Sequence, residues 1–157
     1  MSISTTKKEE WWFASKGYIS AIQELPNYQH LTGFVYRITN LQTGAIYIGK
    51  KSLYTTRKKK ISLKEKKATG TRKTFEYIKK ESDWMKYYGS SKELQGDVKK
   101  QGAHQFHREI LELCCSKKYL SYAELAWQVK LDVLKMPGCY NGNILGRFYS
   151  RDMENCK

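Results

Sequence analysis

Tyr36 and Tyr47, followed closely by Gly49, Lys50, Lys51 and Arg57, bring two phenols and three cations into one short stretch of the 157-residue chain. A phenol ionises at about pH 10 and is a poor base at neutral pH unless nearby positive charge favours the phenolate. Lys50 and Arg57 can supply that charge. Arginine adds a planar fork of donors that grips an oxyanion better than a lysine ammonium does. These residue types suit proton transfer beside an anionic group.

For the phenols to act together they must stand side by side, and the local pattern says how. Two runs rich in aromatic and β-branched residues, 34–39 and 45–50, flank Asn40-Leu-Gln-Thr-Gly44. The asparagine and the closing glycine favour a turn. This is the pattern of an antiparallel hairpin closed by a short loop. Side chains alternate along a strand, so Phe34, Tyr36 and Ile38 share one face while Val35, Arg37 and Thr39 share the other. On the partner strand Ala45, Tyr47 and Gly49 share a face.

Length and charge bound the rest. The chain is long enough to bury one core as a single domain. A net charge of +14 points to a polyanionic partner, most simply nucleic acid. No apolar run of membrane-spanning length occurs, and the amino terminus lacks the core of a secretory signal, so an intracellular protein is expected. Cysteines 114, 115, 139 and 156 show no C-x-x-C spacing, and disulfides are not expected in a reducing compartment. His104 and His107 precede the first two cysteines, but an extended segment there would separate the ligands onto different faces, against the usual zinc spacings.

Residues 1–10 are expected to fray. From Trp11 to Leu25, Trp12, Phe13, Tyr18, Ile19 and Ile22 recur with rough helical spacing that ends before Pro26-Asn27. This aromatic cluster reads as a helical brace packed on the sheet rather than a base-stacking surface. After the hairpin, residues 50–80 are the most basic part of the chain, interrupted at Thr69-Gly70-Thr71, where a mobile loop is expected. Lys51, Lys58, Lys59, Lys60, Lys64, Lys66, Lys67, Arg72 and Lys73 are the candidate phosphate contacts, since each neutralised phosphate releases counterions. Ser90 and Glu93 form an S-x-x-E capping box for a helix over 91–101 that stops at Gly102. Residues 105–113 read as a third strand. A second box, Ser121 with Glu124, predicts a helix over 121–135 with a stripe of Leu120, Ala123, Trp127, Leu131 and Leu134, ended by Pro137-Gly138.

These motifs, taken in order, resemble the GIY-YIG nuclease family. Phe34-Val35-Tyr36 matches the first triplet in its apolar and tyrosine positions, with Gly33 one place early. Tyr47-Ile48-Gly49 matches the second letter for letter. Arg57 stands at the offset of the family's catalytic arginine. Tyr87-Tyr88-Gly89-Ser90-Ser91-Lys92, followed by a helix and a strand, resembles the middle of small phage-type members. Glu124-Leu-Ala-Trp127 resembles the metal-binding glutamate ahead of an aromatic, and Tyr140-Asn141 the terminal asparagine motif. Where many relatives carry a histidine after the arginine this chain has Ile61, and Lys50 fits the lysine that some branches use instead.

The resemblance implies an α/β (α+β) fold with a central three-stranded antiparallel sheet flanked by helices. It divides the chain into an aromatic-rich helical extension at 1–32, a nuclease domain at 33–142 and a tail at 143–157. It implies a Mg²⁺- or Mn²⁺-dependent DNA endonuclease of phage or mobile-element origin, acting on double-stranded DNA and leaving 5′-phosphate and 3′-hydroxyl ends. Tyr36 would be the general base, Tyr47 would orient water or phosphate, Lys50 would favour the phenolate and Arg57 would hold a non-bridging oxygen. Glu124 would bind the metal, and Asn141 would support the phosphate or the network around Tyr47. A compact chain of this kind has no room for a separate DNA-binding domain, which leaves low specificity or a recruiting protein. The rivals are a non-catalytic DNA-binding protein and a nuclease for RNA or branched DNA.

Overall fold

Residues 34–40 and 46–52 alternate as a hairpin requires, and the computed structural model, which describes residues 10–154, builds the molecule around them. Residues 1–9 and 155–157, which take in most of the segment expected to fray and Cys156, lie outside the described residues. In chain order the sheet-forming strands are β1 (Trp11–Phe13), β2 (Gly17–Ile19), β3 (Gly33–Asn40) and β4 (Ile46–Ser52). A separate pair follows, β5 (Tyr54–Lys60) and β6 (Phe75–Glu81), with α1 (Leu63–Thr69) between them. Then come α2 (Lys92–Gln101), β7 (Phe106–Cys114), α3 (Lys117–Lys130) and the short strands β8 (Asn143–Ile144) and β9 (Phe148–Tyr149).

The central sheet has five strands in the order β2-β1-β7-β3-β4, not three. The extra two come from the amino-terminal segment, which forms no α-helix among its described residues: β1 and β2 make a hairpin turned at residues 14–16, and two 3-10 turns follow at Ile22–Glu24 and Tyr28–His30. The reason is tertiary. β1 pairs in parallel with β7, and Trp11 is fully buried with its indole N–H donating to the Trp84 carbonyl at 2.8 Å. Burying a tryptophan contributes about 4–6 kcal/mol at the usual area coefficient, enough to override a weak helical periodicity. The packing role expected for this segment holds, since Trp11, Ile19, Ile22 and Leu25 all join the core.

Both faces of the sheet are covered. Phe34, Tyr36 and Ile38 pack with Trp11, Trp84, Leu94 and Phe106 on one side, while Val35 and Ile48 pack under α3 through Leu120 and Ala123 on the other. The expected alternation along β3 is therefore present, with Phe34, Tyr36 and Ile38 all buried and, on the other face, Val35 buried while Arg37 and Thr39 stay partly exposed. Gly33 is required by the second layer: a Cβ there would strike the Lys51 carbonyl and the Leu120 side chain. Phe34, in the place of the family's first glycine, is instead a core residue.

The caps differ from expectation. Ser91, not Ser90, caps α2 by accepting from the Leu94 N–H. Ser116, not Ser121, caps α3, which therefore starts and ends earlier than 121–135. Most of the basic segment forms the β5–β6 ribbon and α1, which is closed by a capping box of Ser62 and Glu65 and by Gly70 in the left-handed region, while residues 70–74, at the expected loop, lie outside helix and strand. Ile61, at the position of the family's histidine, is buried and donates its N–H to Thr74.

Cys114, Cys115 and Cys139 are free thiols. Burial, then the charge of Glu112, pushes Cys114 from 9.0 up to about 11. A thiol that ionises later in the folded than in the unfolded state makes the unfolded chain bind fewer protons as pH rises, so stability is lost upward through that interval. Below pH about 9 the contribution is complete. Burial also raises Tyr36, Tyr87 and Cys139, in the same direction. Urea unfolding at pH 8 and pH 10.5 is expected to show a marked loss at the higher pH, and Cys114→Ala should shrink that loss. An equal loss in the variant would exclude Cys114 from it.

Candidate active site

β3 and β4 register Tyr36 opposite Gly49 and Ile38 opposite Tyr47. The two tyrosines are thus diagonal neighbours on one face, ring centroids 6.1 Å apart. Gly49 leaves the space their rings need, because a Cβ there would lie 2.5 Å from the Tyr36 hydroxyl and 2.9 Å from the Tyr47 ring. The phenols are nevertheless unlike. Tyr36 is 1% exposed and packs edge-on to Trp11, Phe34 and Tyr87. Tyr47 is only half-buried, and its hydroxyl shares a hydrogen bond of 2.8 Å with Ser90 Oγ.

Burial holds the Tyr36 hydroxyl well above the usual tyrosine range, with Tyr47, Tyr87, the hydrogen bond to Tyr87 and the charge of Glu124 all acting in the same direction. Lys50 does not offset them by turning inward. Its ammonium lies 2.9 Å from Ser121 Oγ and 3.2 Å from Glu124 Oε2. In this arrangement Tyr36 is a neutral phenol at pH 7.

A cleft of about 590 Å³ opens beside β4, lined by Tyr47, Lys50, Ser90, Glu124, Gln128 and Asn141 among others. It unites four of the six expected catalytic residues. Tyr36 lies behind Tyr47, and Arg57 sits on β5, exposed and outside the cleft lining. Lys50 is the sole cation among the described lining residues. Glu124, freed of the capping role suggested by Ser121, is a mid-helix residue whose carboxylate faces the cleft.

Asn141 bonds the backbone next to Tyr47. It is buried, its Oδ1 accepts from the Ile48 N–H and its Nδ2 donates to the Ile48 carbonyl, both at 2.8 Å. β4 is an edge strand, and a buried peptide group on such an edge must find partners. Gln128 Nε2 and the Tyr140 N–H add bonds to the Ile48 and Ile46 carbonyls. Asn141 thus fixes the strand that carries Tyr47 and Gly49. The Tyr140 hydroxyl donates to Asp97 and accepts from Asn40, tying this clamp to α2 and to the hairpin loop.

Two of the expected phosphate contacts are ion-paired within the chain. Lys51 pairs with Asp83 and covers the Tyr87 ring, and Lys59 pairs with Glu65 and Glu76. Sequence reading passed over Ser90, Tyr87, Ser121 and Gln128. The last could have been found, because Ser121, Glu124 and Gln128 recur at helical spacing as a polar line down one face of α3.

For a divalent cation the donor set is spare. Among the described residues no three His, Cys, Asp or Glu side chains converge. Glu124 presents one carboxylate to an open cleft, which fits Mg²⁺, an ion bound through one or two carboxylates while keeping several waters. The competing Lys50 ion pair is partly exposed and contributes about 0–1 kcal/mol, too little to prevent exchange.

A family model described as "Putative endonuclease segE, GIY-YIG domain" matches residues 11–144, from the first residue of β1 to the end of β8. No curated protein and no solved structure matches the chain.

Proposed function

The chain belongs to the GIY-YIG family of endonucleases, and on that premise we propose that the cleft beside β4 hydrolyses phosphodiester bonds in double-stranded DNA, leaving 5′-phosphate and 3′-hydroxyl ends. The observation that carries this reading is the convergence of Tyr47, Lys50 and Glu124 on one open cleft, with Tyr36 directly behind them. Glu124 would hold Mg²⁺ or Mn²⁺. Bound there, the cation would supply charge stabilisation at the scissile phosphate and offset the Glu124 charge, which adds to the larger effect of burial on the Tyr36 hydroxyl.

The residues of the chain divide the remaining work. The Tyr47 hydroxyl, with Ser90 as its partner, orients water or a phosphate oxygen in the cleft. Lys50, released from Glu124, is the cation placed to counter developing negative charge, the task expected of Arg57. Arg57 is assigned to the substrate backbone away from the scissile bond. Tyr36 would accept the proton of the attacking water only as its phenolate, after its own proton has passed to solvent, and its burial opposes that loss. Asn141 touches neither substrate nor metal and keeps β4 in register.

The test is incubation of purified protein with supercoiled plasmid in Mg²⁺, in Mn²⁺ and in chelator. Nicked or linear product in either metal and none in chelator is expected. The closed Lys50–Glu124 pair and the buried Tyr36 also suit a DNA-binding protein that does not cleave, and binding without any nicking would favour that second reading.

A further inference from the structure

Eleven basic and three acidic residues lie between positions 54 and 81, a net of +8 out of the whole chain's +14. They sit on the β5–β6 ribbon and α1, an arm pinned to the body at its base, where Ser82 donates its N–H to the Leu53 carbonyl and its hydroxyl to that of Ser52. Beyond the base every residue of both strands is exposed. Seven paired residues make an arm about 23 Å long and two strands wide.

Directly paired residues share a face, so Thr56 with Lys79, Lys58 with Tyr77 and Lys60 with Phe75 form one side of the ribbon. That side continues onto the body. Tyr54, Thr56 and Lys79 line a depression together with Lys117, the first residue of α3, and Glu124 lies two turns further along the same helix. A ligand in the cleft and one on this ribbon face would lie on contiguous surface.

We propose that this face is a clamp for B-form duplex DNA, entering the major groove with Tyr77 against base edges and Lys58, Lys60 and Lys117 on the flanking phosphates. Charge makes the partner a nucleic acid, and the aromatic rings decide which kind. Binding to single strands needs successive open ring faces on which bases stack. Here the Lys58 ammonium lies 4.0 Å over Phe75 and that of Lys79 lies 3.9 Å over Tyr54. Tyr77, 71% exposed, is the one ring of this face left uncovered by these lysines. One ring cannot make a stacking path, but it can contact a groove floor between two rows of lysines. A two-stranded ribbon fits the roughly 12 Å major groove of B-DNA, whereas the major groove of A-form RNA is too narrow and deep to be read by side chains.

This rests on and deepens the nuclease reading by naming the surface that grips the duplex and the groove it enters, and it is tested by binding, so that the two can fail separately. The full-length protein, in chelator, is titrated with one sequence as DNA duplex, RNA duplex and DNA single strand over a salt series. The DNA duplex should bind tightest. Tyr77→Ala should weaken duplex binding about tenfold with little change for the single strand. Lys58→Gln with Lys60→Gln should flatten the slope of log K against log salt by about 1.8, since each phosphate contact contributes about 0.9. Methyl green, a major-groove ligand, should compete, and a minor-groove ligand should not. An unchanged slope in variants that melt like the parent overturns the clamp. So does equal binding of RNA duplex, or a larger Tyr77→Ala loss on single strands. Duplex binding with these properties but no plasmid nicking would sink the nuclease reading alone.

Discussion

Replacing Glu124 by glutamine is expected to stop plasmid cleavage while leaving DNA binding in place. The substitution keeps side-chain length and removes only the charge. Metal stabilisation of a developing oxyanion amounts to several kcal/mol, and each 1.36 kcal/mol is tenfold in rate, so a loss of about a thousandfold or more is expected. Stability should hardly move, because the ion pair that disappears is the partly exposed one with Lys50, and such pairs contribute about 0–1 kcal/mol. Binding in chelator should be equal or tighter, since a negative group beside the phosphate path is gone. A folded Glu124→Gln protein that cleaves at the parental rate would remove Glu124 from the site and, with it, the assignment of the cleft.

The tyrosine hairpin was legible because everything that specifies it is local: alternation with a period of two, Asn40 to shape the turn and Gly44 to close it at φ +75°. The same local rules failed at the helix starts. Ser-x-x-Glu occurs at both Ser90 and Ser121, yet the caps are Ser91 and Ser116, because which serine caps depends on where packing ends the preceding segment. Ser90 and Ser121 are turned instead to Tyr47 and Lys50. β1 and β2 were not legible at all. Three-residue strands carry too little periodicity to be told from a helix, and the parallel pairing of Trp11 with Arg108 joins segments that no local signal connects. Positive φ at Gly17 is the one feature of that stretch that belongs to a hairpin. The site shows the same division. Residue types and order brought Tyr47, Lys50, Glu124 and Asn141 to one cleft. The depth of Tyr36, the inward clamp of Asn141 and the distance of Arg57 from the cleft lining are set by packing against distant segments, which spacing along the chain does not encode.

Gly49→Ala should be the most damaging small substitution in the hairpin. Its Cβ would meet Tyr36 Oη at 2.5 Å, Tyr36 Cζ at 2.7 Å and a Tyr47 ring carbon at 2.9 Å. The Tyr36 ring has no room to retreat. Tyr36 is held by Trp11, Phe34 and Tyr87, and the same Tyr47 carbon lies as close to the space a Cβ would take at Gly89. Overpacking of this kind costs about 1–3 kcal/mol, a fall of several degrees in melting temperature. Displacing catalytic groups by about 1 Å costs about a hundredfold in rate. The informative comparison adds Tyr36→Phe to the alanine variant. It deletes the nearest clashing atom, so part of the lost stability should return, with a coupling of about 0.5–3 kcal/mol in the double-mutant cycle. Activity should not return with it, because the hydroxyl that relieves the clash by its absence is the one assigned to take the proton. Stability recovering without activity separates the packing role of that phenol from its chemistry. If cleavage recovers in step with the melting temperature, Tyr36 is a core residue only, and the proton acceptor is to be sought at Tyr47, whose hydroxyl already stands in the cleft.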